Sequence, residues 1–288
     1  MEIKTTLDKP VTERAEEMGS YKDVKGKGIK SGADFLESLR DGRVVYYQGE
    51  KVEDVTTHPA FTKMAHKIAE TYDKQHNPEY QDKMSFVDED GVRCSYSYAT
   101  TPTMEMLEGR KGNTEIWVND AMGMLGRLPD FVAGMTVGIY DLRHELEKLN
   151  PELSKNAESY LTYARQNDLC LSHGLHDPCM DKSLRPPEDP DRCVRVVKER
   201  DDGIIVRGAR FNTFGLFSNE IMICPTYGFK PEEKEYAMWF TVPCDAPGLS
   251  QIARESYGGR DPIDHPASAV YDEVDSLIVF DDVFIPWE

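Results

Sequence analysis

Apolar residues recur at helical spacing through roughly the first 170 residues of the chain. The clearest stripe has spacings of i, i+3, i+4, i+7, i+8 and i+11 and consists of Phe61, Met64, Ala65, Ile68, Ala69 and Tyr72. Such spacing places all of these side chains on one face of a helix. We therefore predict a long amphipathic helix that starts near Thr57 and Pro59.

Local capping and turn residues predict the other elements of this half. Ser31 and Asp34 have the spacing of an N-terminal cap, which predicts a short helix that ends at Gly42 and carries Phe35, Leu36 and Leu39. A strand is expected over Val44–Tyr47. The other predicted elements are helices over 116–125 and around 157–164, a helix capped by Asp130, and a hairpin formed by 84–87 and 92–98 around the turn 88–91.

Beyond about residue 170 the helical spacing gives way to short β-rich runs separated by Gly, Pro and Asp turns. The predicted strands are Cys193–Val197, Gly203–Val206, Glu220–Cys224, Tyr236–Val242 and Ser276–Ile285. This single change predicts an α+β fold with two domains. We expect a mainly helical N-terminal domain over 1–169 and a middle β domain over 170–288, built as a small barrel or sandwich.

Composition and charge exclude several classes of function. The 34 basic and 52 acidic residues give a net charge of −18, which repels phosphate backbones, so we expect no nucleic-acid partner. No apolar run is long enough to span a membrane or to act as a signal peptide. Six cysteines without a Cys-x-x-Cys pair suggest a reducing compartment, and we predict a cytoplasmic protein without membrane contact.

The segment from Cys170 to Cys179 contains two thiols and two imidazoles and is the most conspicuous candidate metal site. Structural zinc sites bring together two short ligand pairs from separate segments, whereas these four residues follow one another closely. Pro178 also interrupts any regular helix there. We therefore predict packed cysteines and hydrogen-bonded histidines in a loop, and no metal.

Two residues at the junction of the halves are candidates for acid–base and anion chemistry. Arg127 follows Gly126 at a corner between predicted helices, where its guanidinium can bind an anionic oxygen. The spacing by itself favours an ion pair between Arg127 and Asp130. His173 lies where the helical half meets the β half, and a cleft between domains is a common ligand site.

Several ordered motifs together resemble the 4-hydroxyphenylacetate 3-monooxygenase family, the large oxygenase component of two-component flavin enzymes. The resemblance runs from about residue 30 to the last residue. The motifs are Ser31–Arg43, Gly49–Val52, Asp54–Phe61, Gly126–Asp130, His173, Gly208–Arg210, Asp264–Pro266, Phe280–Val283 and Pro286–Glu288.

This resemblance implies an acyl-CoA-dehydrogenase-like fold in which a C-terminal helical bundle follows the middle domain and builds a homotetramer. The present chain stops on the apolar segment Val279–Glu288, so we expect that bundle to be missing. The family takes reduced FAD from a separate flavin reductase and forms a flavin C4a-hydroperoxide with molecular oxygen. One oxygen atom is then inserted ortho to the hydroxyl of a small phenolic substrate.

The resemblance also assigns roles to individual positions. Arg127 and His173 correspond to the catalytic residues, and Phe131 replaces a family tyrosine on the substrate side. The positions matching substrate-binding residues are Arg127, Phe131, Thr226 and Tyr227. Those matching flavin-binding residues are His173, Asp177, Cys179, Thr213 and Phe214, of which Cys179 replaces a family glutamine.

Two alternative functions belong to other classes: a different type of enzyme, and a chain without catalytic activity. The related 4-hydroxybutyryl-CoA dehydratases use FAD and an iron–sulfur cluster, and carry a Cys-x-x-x-Cys pair where this chain has Arg127 and Phe131. The third interpretation is a truncated fragment without catalytic activity, with apolar surface left uncovered. Iron and sulfide analysis distinguishes the first alternative, and flavin affinity distinguishes the second.

Overall fold

The computed structural model describes residues 26–178, 181, 183–190, 192–225 and 228–288. The helices are α1 (Gly32–Ser38), α2 (Thr62–Lys74), α3 (Gln81–Met84), α4 (Met104–Asp120), α5 (Pro129–Asp141), α6 (Arg143–Leu149) and α7 (Pro151–Gln166). None of the helices in these ranges combines the length and apolar character needed to cross a membrane.

The strands, in chain order, are β1 (Val45–Tyr47), β2 (Glu50–Val52), β3 (Ser85–Val87), β4 (Arg93–Ser95), β5 (Leu171–His176), β6 (Arg195–Glu199), β7 (Gly203–Thr213), β8 (Glu220–Ile223), β9 (Phe240–Pro243), β10 (Leu249–Ala253) and β11 (Ser276–Pro286). β3 and β4 form the predicted hairpin. The others form one sheet in the order β2-β1-β10-β11-β7-β5-β8-β9, with β6 also paired to β7. This mixture of helices and sheet agrees with the predicted α+β class.

Helix boundaries follow the predictions most closely where local chemistry sets them. Ser31 caps α1 with the reciprocal Asp34 bonds that the spacing predicted. The predicted helix over 116–125 is the last part of α4, which starts at Met104 and ends at Asp120. The prediction that Asp130 caps α5 is wrong, because Leu128 is the N-cap residue and Pro129 supplies the fixed φ of the first turn.

Several β predictions need correction. Leu171–His176 is a strand rather than a loop, and Leu249–Ala253 is a strand that the sequence pattern did not reveal. Tyr236 belongs to a 3-10 helix, so the strand predicted over Tyr236–Val242 begins only at Phe240. Strands of three to six residues carry too little periodic signal to be found from apolar spacing alone.

The sheet takes strands from both halves of the chain. β1 pairs in parallel with β10, with Val45 opposite Gln251, so residues 45–52 extend the sheet formed mainly by residues 171–286. Two apolar clusters connect the helices to the sheet. One joins α1, α2 and Trp117 to Phe214 and Phe217, and the other joins α5 and α7 to Leu171 and Met222. The second cluster packs α5 against β5.

Removal of the Ser31 hydroxyl tests the contribution of the α1 cap. The amide of Asp34 donates to Ser31 Oγ at 3.1 Å, and Ser31→Ala leaves this amide without its side-chain partner. We expect the free energy of unfolding to fall by about 1 kcal/mol in urea titrations. Ser31→Thr keeps a capping hydroxyl and is the control. Equal stability of the Ala variant and the wild type would contradict this account.

Candidate functional site

His173 lies in the middle of β5 at the boundary between the helices and the sheet. It is opposite Thr213 of β7 and Met222 of β8, and its side chain is 7% exposed. Its Nδ1 atom is buried and has no hydrogen-bond partner among the described residues. Burial lowers the pKa of His173, and the positive charge of Arg127 and interaction with His176 lower it further. The imidazole is therefore kept in its neutral form and offers a free acceptor or donor atom.

The start of α5 brings Phe131 and Arg127 to this histidine. The Phe131 and His173 rings meet edge to face, with centroids 5.5 Å apart and planes at 68°. Phe131 remains 43% exposed, so one side of its ring is available to a ligand. The structure therefore brings together Arg127, Phe131 and His173, three of the residues selected from the sequence.

Arg127 pairs with a residue that the sequence analysis did not consider. Its Nη1 donates to Glu273 Oε1 at 3.2 Å, so the ion pair predicted with Asp130 is wrong. Asp130 instead hydrogen-bonds with Thr114 and interacts electrostatically with Arg110, and its burial raises its pKa. Burial also raises the pKa of Glu273, while Arg127 acts in the opposite direction. No local signal identifies Glu273, because it is 146 positions from Arg127.

The face that carries His173 continues on β7. Thr213 is directly opposite His173, and side chains two residues apart on a strand share a face, so Phe211 lies on the same side of the sheet as Thr213. Phe211 is 36% exposed, and Thr213 is half-buried. Together with Phe131 they form a partly apolar surface beside His173. Phe211 was not among the selected site residues, and its exposed ring makes it a further candidate.

Asp177, which matches a flavin-binding position of the family, forms an ion pair with a buried arginine. Its carboxylate pairs with the guanidinium of Arg210, whose side chain is 2% exposed. Arg210 Nη2 also donates to the carbonyl of Cys224 at 3.3 Å. The Arg210 Nε atom is buried without a partner in the described part of the chain. The main role of Asp177 in this structure is to neutralise a buried arginine.

Four further residues are predicted to contact the flavin or the substrate, and one of them, Phe214, lies among the described residues. Phe214 is 1% exposed and packs beside Phe217 in the helical core, so its side chain is not presented at the surface near His173. It occupies the left-handed region with φ 72°, which turns the chain away from β7. Cys179, Thr226 and Tyr227 lie outside the described residues. Across the described ranges no group of three or more His, Cys, Asp or Glu side chains is arranged to hold a metal ion.

The effect of the Arg127 charge on the pKa of His173 can be measured. In Arg127→Gln the positive neighbour is lost, the protonated imidazole is less disfavoured, and the pKa of His173 should rise toward its ordinary value, as followed by NMR titration. His58 is the control, because burial alone lowers its pKa. Since the folded-state pKa of His173 is depressed, its contribution to stability falls as pH drops below about 6.5, where the unfolded chain takes up the proton. A His173 pKa that does not move would contradict the proximity of the two charges.

Comparison with known proteins identifies the relatives of this chain. Residues 31–288 match the sequence model described as 4-hydroxyphenylacetate 3-hydroxylase N terminal. The 4-hydroxyphenylacetate 3-monooxygenase oxygenase component of Thermus thermophilus is 35% identical over 263 residues, covering 90% of this chain and 54% of the relative. The 4-nitrophenol 2-monooxygenase oxygenase component of Rhodococcus sp is 36% identical over 266 residues, covering 90% and 50%. The chain therefore spans about half the length of these curated relatives.

Solved structures show the same relationship. A crystal structure of the oxygenase component of 4-hydroxyphenylacetate 3-monooxygenase, complexed with FAD and 4-hydroxyphenylacetate, superposes with a TM-score of 0.81 at 35% identity over 90% of this chain and 54% of that one. A 4-hydroxybutyryl-CoA dehydratase from N. maritimus superposes with a TM-score of 0.75 at 26% identity, covering 90% and 53%. The fold is therefore shared by a phenol oxygenase and a dehydratase.

Proposed function

Because this chain belongs to the 4-hydroxyphenylacetate 3-hydroxylase family, we propose that it forms the flavin- and phenol-binding part of an oxygenase component. The proposed reaction uses molecular oxygen and reduced FAD from a separate reductase to hydroxylate a small phenol ortho to its hydroxyl. One observation carries the proposal. The buried His173, with its unpartnered Nδ1, lies against the half-exposed ring of Phe131 and close to the charge of Arg127.

The residues present fit a flavin. The surface formed by Phe211, Thr213 and Phe131 offers exposed aromatic faces and a hydroxyl, and the free nitrogen of His173 lies beside it. His173 and Thr213 would hold the ring system, with Phe211 packed against it. Cys179 is proposed as a further flavin contact, whereas Asp177 and Phe214 would act through Arg210 and through the backbone respectively. When bound, reduced FAD supplies the electrons that activate oxygen.

On the substrate side, the chain's own residues bind and orient the phenol. We propose that His173 accepts the proton of the phenolic hydroxyl, which requires an imidazole that is unprotonated at the working pH. The Arg127 guanidinium hydrogen-bonds to the phenol oxygen and favours the developing negative charge. Phe131 packs against the aromatic ring and helps to exclude water from it. Thr226 and Tyr227 are proposed to complete the substrate pocket.

We also propose the wider features that the family resemblance implies. These are the division at residues 169 and 170, the closure of the sheet as a barrel or sandwich, a following helical bundle, a homotetramer and a cytoplasmic location. The matches to oxygenase components that are about twice as long as this chain support a further segment in the natural protein, and the other features rest on the family resemblance.

Anaerobic calorimetry with reduced and oxidised FAD tests the proposed function in the complete natural chain that contains these residues. We expect preferential binding of the reduced form and oxygen-dependent hydroxylation of phenols. Phe211→Ala should weaken binding of reduced FAD, whereas Ile252→Ala, which shortens an exposed apolar side chain on β10, should not. Failure to bind either form of FAD would contradict the proposal and favour a non-catalytic chain. A stoichiometric iron–sulfur cluster after anaerobic purification would instead favour a dehydratase-type lyase.

A further inference from the structure

The Arg127–Glu273 ion pair joins the helical half of the chain to a turn before β11. Arg127 is 44% exposed and Glu273 is 21% exposed at the level of their side chains. Only one carboxylate oxygen of Glu273 is used, because Oε2 is buried and has no hydrogen-bond partner among the described residues. Glu273 therefore holds the arginine with Oε1 and retains a free acceptor beside it.

The turn that carries Glu273 is held independently of Arg127. The carboxylate of Asp272 accepts hydrogen bonds from Ser256 Oγ at 2.9 Å and from the amide of Tyr257 at 2.6 Å. Arg254 binds both Asp272, at 2.5 Å, and Asp275, at 3.3 Å. These contacts fix the backbone on both sides of Glu273.

Backbone strain in this turn indicates that its shape is imposed by the surroundings. Val274 has φ 39°, in the left-handed region that β-branched residues rarely adopt, and its side chain is completely buried. Such a conformation persists only where neighbouring contacts over-determine it, and it is found preferentially at functional sites. The turn directs the carboxylate of Glu273 to Arg127.

We propose that Glu273 is a positioning residue that also determines which form of the substrate the site accepts. By pairing with Arg127 it fixes the guanidinium and offsets part of its charge, so that the site binds a neutral, protonated phenol in preference to a phenolate while the guanidinium still donates a hydrogen bond to the phenol oxygen. The phenol then arrives with its proton, and His173 removes that proton inside the site. This inference rests on the proposed function and adds a substrate class to it.

The environment supports this charge balance. Arg254 is already paired with Asp272 and Asp275, so its charge is compensated locally. His173 is held in its neutral form by burial and by Arg127. Loss of the Glu273 charge would leave Arg127 as an uncompensated cation next to the phenol site. An uncompensated cation attracts anions, most strongly where the site is shielded from water.

The test compares two phenols of similar size in the complete chain at mildly alkaline pH, where 4-nitrophenol is ionised and 4-methylphenol is neutral. In Glu273→Gln, which keeps the shape and a hydrogen-bonding oxygen, we expect the affinity ratio to shift toward 4-nitrophenolate by about tenfold in equilibrium binding titrations. Asp275→Asn is the matched control, because this neighbouring carboxylate pairs with Arg254 rather than Arg127. Its affinity ratio should remain that of the wild type.

Three outcomes overturn the inference. An unchanged ratio in Glu273→Gln, or an equal loss of affinity for both phenols, would show that Glu273 has only a structural role. An equal shift in Asp275→Asn would show that any nearby carboxylate acts at a distance. Wild-type protein that binds neither phenol would overturn the proposed function as well, so the two failures are distinguished by the wild-type measurement.

Discussion

Replacement of His173 by Ala should reduce kcat/KM for phenol hydroxylation by about 10²- to 10⁴-fold in the complete chain, the range expected for loss of a positioned acid–base group. His173 is the buried imidazole whose Nδ1 is free and whose pKa is lowered by burial and by Arg127. The neutral ring is therefore available to take a proton near neutral pH. Steady-state kinetics with saturating reduced FAD measure the loss.

The control for this experiment lies on the same strand. His176 is exposed at the end of β5, and His176→Gln should retain activity close to that of the wild type. Circular dichroism and urea unfolding should show that His173→Ala is folded, since removal of a side chain packed against Phe131 also changes local packing. Turnover by folded His173→Ala within a few-fold of wild type would contradict its role as the base.

Replacement of Asp177 by Ala should have the largest effect on stability, a loss of about 3–5 kcal/mol in the free energy of unfolding. The substitution leaves the guanidinium of Arg210, with 2% of its side chain exposed, without its compensating charge. The carbonyl of Cys224 cannot replace a carboxylate, and Arg210 Nε has no partner in the described part of the chain. Urea unfolding measures the difference.

A surface ion pair serves as the matched control for Asp177. Asp202 pairs with Arg200 at 2.8 Å, and the side chain of Asp202 is 56% exposed. Asp202→Ala should lower stability far less than Asp177→Ala does, because exposed pairs are solvated and contribute little. Similar losses for the two variants would show that burial of Arg210 is not the source of the effect. If Asp177→Ala is as stable as the wild type, the buried-charge explanation is wrong.

The charges around the proposed phenol site affect whether it binds a neutral phenol or a phenolate. Arg127 with Glu273 forms a neutral pair, and His173 is neutral, so the groups that surround the proposed phenol site carry little net charge. The rest of the chain is strongly acidic, with a net charge of −18. A neutral phenol experiences less repulsion from this background than a phenolate does. Both features are consistent with the proposed preference for a protonated phenol.

Local features of the molecule could be predicted from the sequence. The stripe Phe61–Tyr72 lies on α2, where Phe61 is the N-cap residue, although the helix begins at Thr62 and not near Thr57 as predicted. The Ser31 and Asp34 spacing produced the predicted cap. The motifs also identified Arg127, Phe131 and His173, which the structure brings together. Periodicity and capping depend on residues a few positions apart, so the chain itself carries this information.

Contacts between distant segments were decided only by the tertiary structure. Asp130 is three residues from Arg127, but Arg127 pairs with Glu273, because the turn that carries Glu273 is fixed by the contacts of Asp272 with Arg254 and Ser256. The parallel pairing of β1 with β10 likewise depends on packing over some 200 residues. The sequence by itself determined the family and the main helices, and it pointed to three residues that the structure places together at the candidate site. The partners that set the charge of the site required the fold, because ion-pair energies depend on burial and distance and not on sequence spacing.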